Sequence, residues 1–147
     1  MTLDELREFS GREIAVTDWL EITQERIDKF ANATGDHQWI HVDRDRAQRE
    51  SPYGTTIAHG FLTLSLLPKF LMDSIQIDGL RMAINYGLNR VRFPSAVREG
   101  ARIRARIVVQ LVRDVGDATE VIYLMTIESQ REDKPCCVAE WIGRYYR

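Results

Sequence analysis

Thr34-Gly35-Asp36-His37-Gln38-Trp39-Ile40-His41 sets a carboxyl and an imidazole five positions apart. Carboxylate plus imidazole is a general acid/base set suited to neutral pH. On one continuous helix the two side chains would stand about 140° apart around the axis. In a loop leaving a helix end they can converge. Read as residues alone, the plainer account comes first: an aspartate after a glycine cap often serves a turn, and a lone histidine is often just a hydrogen-bonded polar residue. Further on, Ile57-Ala58-His59-Gly60 precedes an apolar run. A glycine opening a helix has a free backbone N–H and sits at the positive end of the helix dipole, a place for a developing negative charge. It also simply permits close packing. His59 is assigned a structural role ahead of a catalytic one.

The remaining polar residues offer less. Thr63 and Ser65 lie on the apolar helix and would orient Asp36 or a water, or bond back to their own helix. Asn85, Tyr86 and Asn89 form a polar set on a strand and are candidates for lining a substrate channel. His37, His41 and His59 with Asp36 and Asp43 match no zinc-binding spacing such as His-Glu-x-x-His, so no metal site is assigned. No glycine-rich dinucleotide loop, phosphate loop or Gly-x-Ser-x-Gly elbow occurs, which leaves nucleotide-dependent and serine-hydrolase chemistry unsupported.

The elements that must position these groups follow from periodicity. Leu3, Leu6 and Phe9 make a short amphipathic turn ended by Gly11, and Glu13 to Leu20 reads as a strand. Thr23 is a fair N-cap, Ile27, Phe30, Ala31 and Thr34 share a face, and Gly35 stands where a helix ends left-handed. A helix over 23–34 therefore delivers Asp36 just past its end. Residues 36–56 are a long polar excursion carrying a short helix over 44–50. Phe61 to Leu67 is apolar almost all round and so buried on most sides, with Pro68 kinking or ending it. From residue 83 the period becomes two. Ala83–Phe93 is strand-like, and 101–112, 120–130 and 136–146 are strands joined by short turns, an antiparallel meander. Helices first and strands after argue for an α+β fold with the sheet wrapped around the apolar helix.

At 147 residues the chain fits a single domain over 1–147. The net charge of −2 argues against nucleic acid. Arg102, Arg104 and Arg106 alternate with Ile103, Ala105 and Ile107 and read as the solvent face of a strand. Cys136 and Cys137 are neighbours, a poor geometry for bridging each other, and read as packed thiols in a reducing cytoplasm. The acidic N-terminal turn is no signal peptide, and no apolar stretch is long enough to span a bilayer.

Ala33-Thr-Gly-Asp36-His-Gln-Trp-Ile-His41-Val-Asp43, then Gly54-Thr-Thr-Ile-Ala-His59-Gly60-Phe, resembles the MaoC-like (R)-specific enoyl-CoA hydratases. Ala83-Ile-Asn-Tyr-Gly-Leu-Asn89-Arg-Val-Arg-Phe-Pro94 is similar to the nodulation-protein-N-like branch of that family. The resemblance runs from about Trp19 to the C-terminus. It implies a hot-dog fold, a curved antiparallel sheet around a long central helix, and a homodimer with the sheets joined edge to edge. It implies reversible syn addition of water to trans-2-enoyl thioesters, giving (R)-3-hydroxyacyl thioesters. Asp36 and His41 match the catalytic pair, and the Gly60 N–H matches the donor to the thioester oxygen. No cofactor is implied, since coenzyme A belongs to the substrate; acyl carrier protein is the other carrier. Trp39, Tyr53 and Phe61 are read either as walls of an acyl tunnel or as core. Two departures stand out. The family's Asn-Pro between acid and histidine is Gln38-Trp39 here. The serine that orients the acid in some members is replaced by Pro68, leaving Ser65 or Thr63 for that task. A hot-dog thioesterase and a non-catalytic acyl-thioester-binding subunit are the alternatives.

Overall fold

A computed structural model describes residues 1–147. The chain opens with α1 (Leu3–Arg7), started by a capping box. The Thr2 hydroxyl accepts from Glu5 N–H at 3.2 Å and the Glu5 carboxylate accepts from Thr2 N–H at 2.7 Å. The strand expected over 13–20 is two strands, β1 (Arg12–Val16) and β2 (Leu20–Glu21). Thr17 separates them. Its hydroxyl accepts from the Ala105 N–H at 2.9 Å while its own N–H reaches Ala105 O at 2.9 Å, and Asp18 and Trp19 then stand outside the strands before β2 begins.

Next comes α2 (Gln24–Thr34), where Thr23 accepts from Arg26 N–H at 3.2 Å. Gly35 ends it at φ 80°, a conformation that costs a side-chain-bearing residue about 1–2 kcal/mol. The polar excursion is mostly helical: α3 (Trp39–Val42) is a single turn, and α4 (Arg44–Glu50) is capped by Asp43.

The apolar helix is α5 (Gly60–Ser65) followed by α6 (Leu67–Ser74). The long central helix is thus divided, and at Leu66 rather than at Pro68. Pro68 has no N–H to give the Leu64 carbonyl. The turn before it tightens instead, Leu66 N–H reaching Thr63 O at 3.2 Å, and Phe70 N–H to Leu66 O at 3.0 Å resumes the α pattern. Leu62, Leu66, Leu67, Phe70 and Leu71 are buried along this face.

Four long strands follow: β3 (Met82–Arg92), β4 (Arg102–Val115), β5 (Ala118–Ser129) and β6 (Cys137–Tyr146). All pairs are antiparallel, in the order β1-β4-β5-β6-β3, with β2 beside β1 on β4. Ile103, Ala105, Ile107 and Val109 face inward onto the helices and are fully buried. The intervening arginines lie on the outer face, where Arg104 pairs with Glu128 at 2.8 Å and Arg106 with Glu13 at 2.9 Å. β3 ends the sheet and is exposed along most of its length. Cys136 and Cys137 are free and buried, and burial pushes their thiols up to about 12 and about 11. No helix is long and apolar enough to cross a membrane.

Candidate active site

Helix α2 delivers Asp36 one residue past its left-handed glycine. The carboxylate is exposed, and its Oδ1 accepts from Gln38 N–H at 3.3 Å, a turn that starts α3. His41 sits on α3 rather than in an open loop, so one tight turn, not a flexible segment, swings it back toward Asp36. Its ring is 7% exposed, and Nδ1 lies 2.7 Å from the Ile57 carbonyl oxygen. A carbonyl can only accept, so Nδ1 carries the hydrogen and Nε2 is left with a free lone pair. Burial holds the His41 pKa below its usual value; the Ile57 bond and the Asp36 charge oppose this, and His59 adds to it. A neutral imidazole with one committed and one free nitrogen is a general base at neutral pH.

The backbone of His41 is fixed as firmly as its ring. Gln24 Nε2 donates to the His41 carbonyl at 2.8 Å, and the Gln24 carbonyl oxygen accepts from the Thr56 hydroxyl. Gln24 carries no sequence signal for this task; a glutamine in the first turn of a helix looks like an ordinary surface residue.

His41 opens onto a cleft of about 670 Å³ shared with Tyr53, Gly60, Thr63, Phe93 and Arg98. Gly60 is the first residue of α5, so its N–H has no intrahelical acceptor. A Cβ there would lie 3.2 Å from Phe93 Cγ and Cδ2. The glycine therefore permits the Phe93 ring to close over the helix start. His59 is 3% exposed, stacks on the His41 ring at 3.8 Å between centroids, and its Nε2 lies 2.9 Å from the Asp36 carbonyl oxygen. It is neither a lone packing residue nor open to the cleft.

Other expected members are elsewhere. Ser65 is exposed and donates to Leu62 O at 2.7 Å, so it does not orient Asp36. Thr63 is buried in the cleft wall. Asn89 donates to Glu140 at 2.9 Å on the exposed edge strand, and Asn85 borders separate grooves with Pro68 and Trp141. The polar strand set thus lines no channel at His41. Trp39 lies under the Arg46 guanidinium at 4.3 Å, outside the cleft, while Tyr53 lines it. Phe61 is 70% exposed and borders one of the separate grooves, which rules out the core alternative for it. His37 pairs with Asn32 at 3.0 Å and Asp43 caps α4, so neither joins the site.

Ligating atoms of Asp36, His41 and His59 lie within 4.8 Å of one another. The two rings, however, are stacked with only 22° between their planes. Their in-plane lone pairs run nearly side by side instead of meeting at one point, a poor cradle for a metal ion. The arrangement suits proton transfer to and from a small molecule held against His41.

Residues 7–130 match the family model described as MaoC like domain. The chain is 50% identical over 137 residues to 3-hydroxyacyl-thioester dehydratase Z of Mycobacterium tuberculosis (strain H37Rv), covering 92% of this chain and 90% of that protein. It is 46% identical over 134 residues to Nodulation protein N of Rhizobium leguminosarum bv. viciae, covering 90% and 83%. Among solved structures, the MaoC-like dehydratase from Rhodospirillum rubrum superposes with a TM-score of 0.78 at 20% identity, over 100% of this chain and 97% of that one. The unliganded R-Hydratase PhaJ1 from Pseudomonas aeruginosa gives 0.74 at 21%, over 94% and 82%. Similarity at these identities speaks for the fold.

Proposed function

Since the chain belongs to the MaoC-like domain family, we propose that it is a hydratase/dehydratase that interconverts trans-2-enoyl and (R)-3-hydroxyacyl thioesters. The observation that carries this is the buried His41 ring, tied through Nδ1 to Ile57 with Nε2 free, beside the Asp36 carboxylate. In hydration, a water held between Nε2 and the carboxylate gives a proton to the pair as its oxygen bonds C3. The pair returns a proton to C2 from the same side, which makes the addition syn. Charge building on the thioester oxygen meets the Gly60 N–H; one such donor is worth about 3 kcal/mol of barrier. No metal and no cofactor enters, coenzyme A being part of the substrate.

The surroundings support a bulky thioester. Arg98 and Lys134 stand in the wall of the His41 cleft beside Glu132 and Asp133; Arg98 is paired with Glu132 at 3.4 Å, which leaves Lys134 to meet a phosphate of a coenzyme A carrier. The exposed edge strand β3 supports a homodimer, and the two unbridged thiols fit a cytoplasmic enzyme.

Crotonyl-CoA tests this. The expected outcome is loss of the enoyl absorbance without free thiol, and a product with R configuration. Thiol release would make the protein a thioesterase. Silence over a series of chain lengths, on coenzyme A and acyl carrier protein alike, would leave a binding subunit.

A further inference from the structure

Asp36 is held weakly by its neighbours in sequence. Its N–H donates to Thr34 Oγ1 at 3.4 Å, and its Oδ1 accepts from Gln38 N–H at 3.3 Å. Ser65 is turned back onto its own helix. The short contact comes from His59, whose Nε2 is 2.9 Å from the Asp36 carbonyl oxygen. That oxygen only accepts, so Nε2 bears the hydrogen. The His59 ring is wedged between Phe30 of α2, at 4.8 Å between centroids, and His41 of α3, at 3.8 Å. Its Nδ1 is buried with no partner. An apolar side chain would fill the same space without burying an unpaired nitrogen, so the Nε2 donor is what distinguishes histidine here.

We propose that His59 is the positioning residue of the site, pinning the Asp36 backbone through Nε2–H while its ring face sets the plane of His41. One ring thus fixes the spacing of acid and base, the task for which this chain has no serine. The kinetic consequence rests on the hydratase reading; the geometric one does not.

His59→Gln keeps an N–H donor within reach of Asp36 O, whereas His59→Phe keeps the ring stack and loses the donor. With crotonyl-CoA, His59→Phe should lower kcat by roughly 10- to 100-fold at nearly unchanged KM, the usual range for a supporting hydrogen bond. His59→Gln should recover part of that loss, since it restores the donor but not the ring face against His41. Wild-type kcat in the Phe variant would overturn the proposal. Long-range ¹⁵N–¹H spectra of the wild-type imidazoles give a readout independent of turnover and of how well the variants fold. His59 should be the Nε2–H tautomer and His41 the Nδ1–H tautomer; an Nδ1–H tautomer at His59 overturns the proposal. If the wild type shows these tautomers but hydrates nothing, the hydratase reading fails while the positioning role stands.

Discussion

In the proposed reaction His41 is suited to act as a base because its two nitrogens face different surroundings. One is spent on the Ile57 carbonyl and the other opens onto the cleft. His41→Gln and Asp36→Asn should each reduce kcat by roughly 10²- to 10⁴-fold, the range that positioned acid–base groups contribute, with unchanged circular dichroism. The pH dependence follows from burial. With its pKa held below 6.5, His41 stays neutral somewhat below that pH, so the acidic limb of kcat/KM for hydration should fall below 6.5. Stability has the same sign. As pH drops past 6.5 the unfolded chain binds a proton at this position before the folded one does. The stabilisation linked to His41 is complete above 6.5 and is lost as pH falls through the lower folded value. Thermal melts across pH 5–8 should show this slope in the wild type and a flatter one in His41→Gln.

At the scale of elements, the site depends on where helices stop and start. Thr23 and Gly35 bracket α2 as the sequence suggests, because cap chemistry is local and residue-specific. The strands were readable from their period of two, and the helix over 44–50 from the length of the polar excursion that had to hold it. The single turn α3 was not. It is four residues long, its N-cap Gln38 makes no side-chain cap bond, and nothing in its apolar–polar order repeats. The division at Leu66 and the break between β1 and β2 at Thr17 are equally opaque, since each depends on a partner distant along the chain or on how the helix absorbs a missing N–H. So Asp36, His41 and Gly60 could be named from sequence, whereas Gln24 and Phe93 needed the packing. The Gly60–Phe93 approach gives an element-level prediction. A Cβ at 60 meets Cγ, the root of the ring, which cannot swing aside by rotating the ring about its own axis. Gly60→Ala should therefore shift either Phe93, which is 39% exposed, or the start of α5, and where the helix start moves kcat should fall by about tenfold, within what small misplacements do to aligned groups. Adding Phe93→Leu should restore part of that loss. A double-mutant cycle with no coupling would remove Phe93 from the account.

Over the whole molecule, the sheet is unequal at its two ends. β1 is short, whereas β3 offers a long unpaired edge with Ile84 40% and Leu88 43% exposed. Such an edge ordinarily pairs or aggregates. Sedimentation should give twice the mass of one chain, and Ile84→Lys with Leu88→Lys should halve it. The neighbouring thiols at the start of β6 have a different use. Cys136 and Cys137 are almost wholly covered, and the Cys136 thiol is raised from 9.0 to about 12. Burial leaves far less thiolate there at pH 8 than on an ordinary exposed cysteine. A thiol-specific dye should thus leave the native protein unlabelled and react only when the strand lifts away. Counting dye uptake against time measures how often the sheet opens, with no engineered probe, and two labels per chain mark each complete opening.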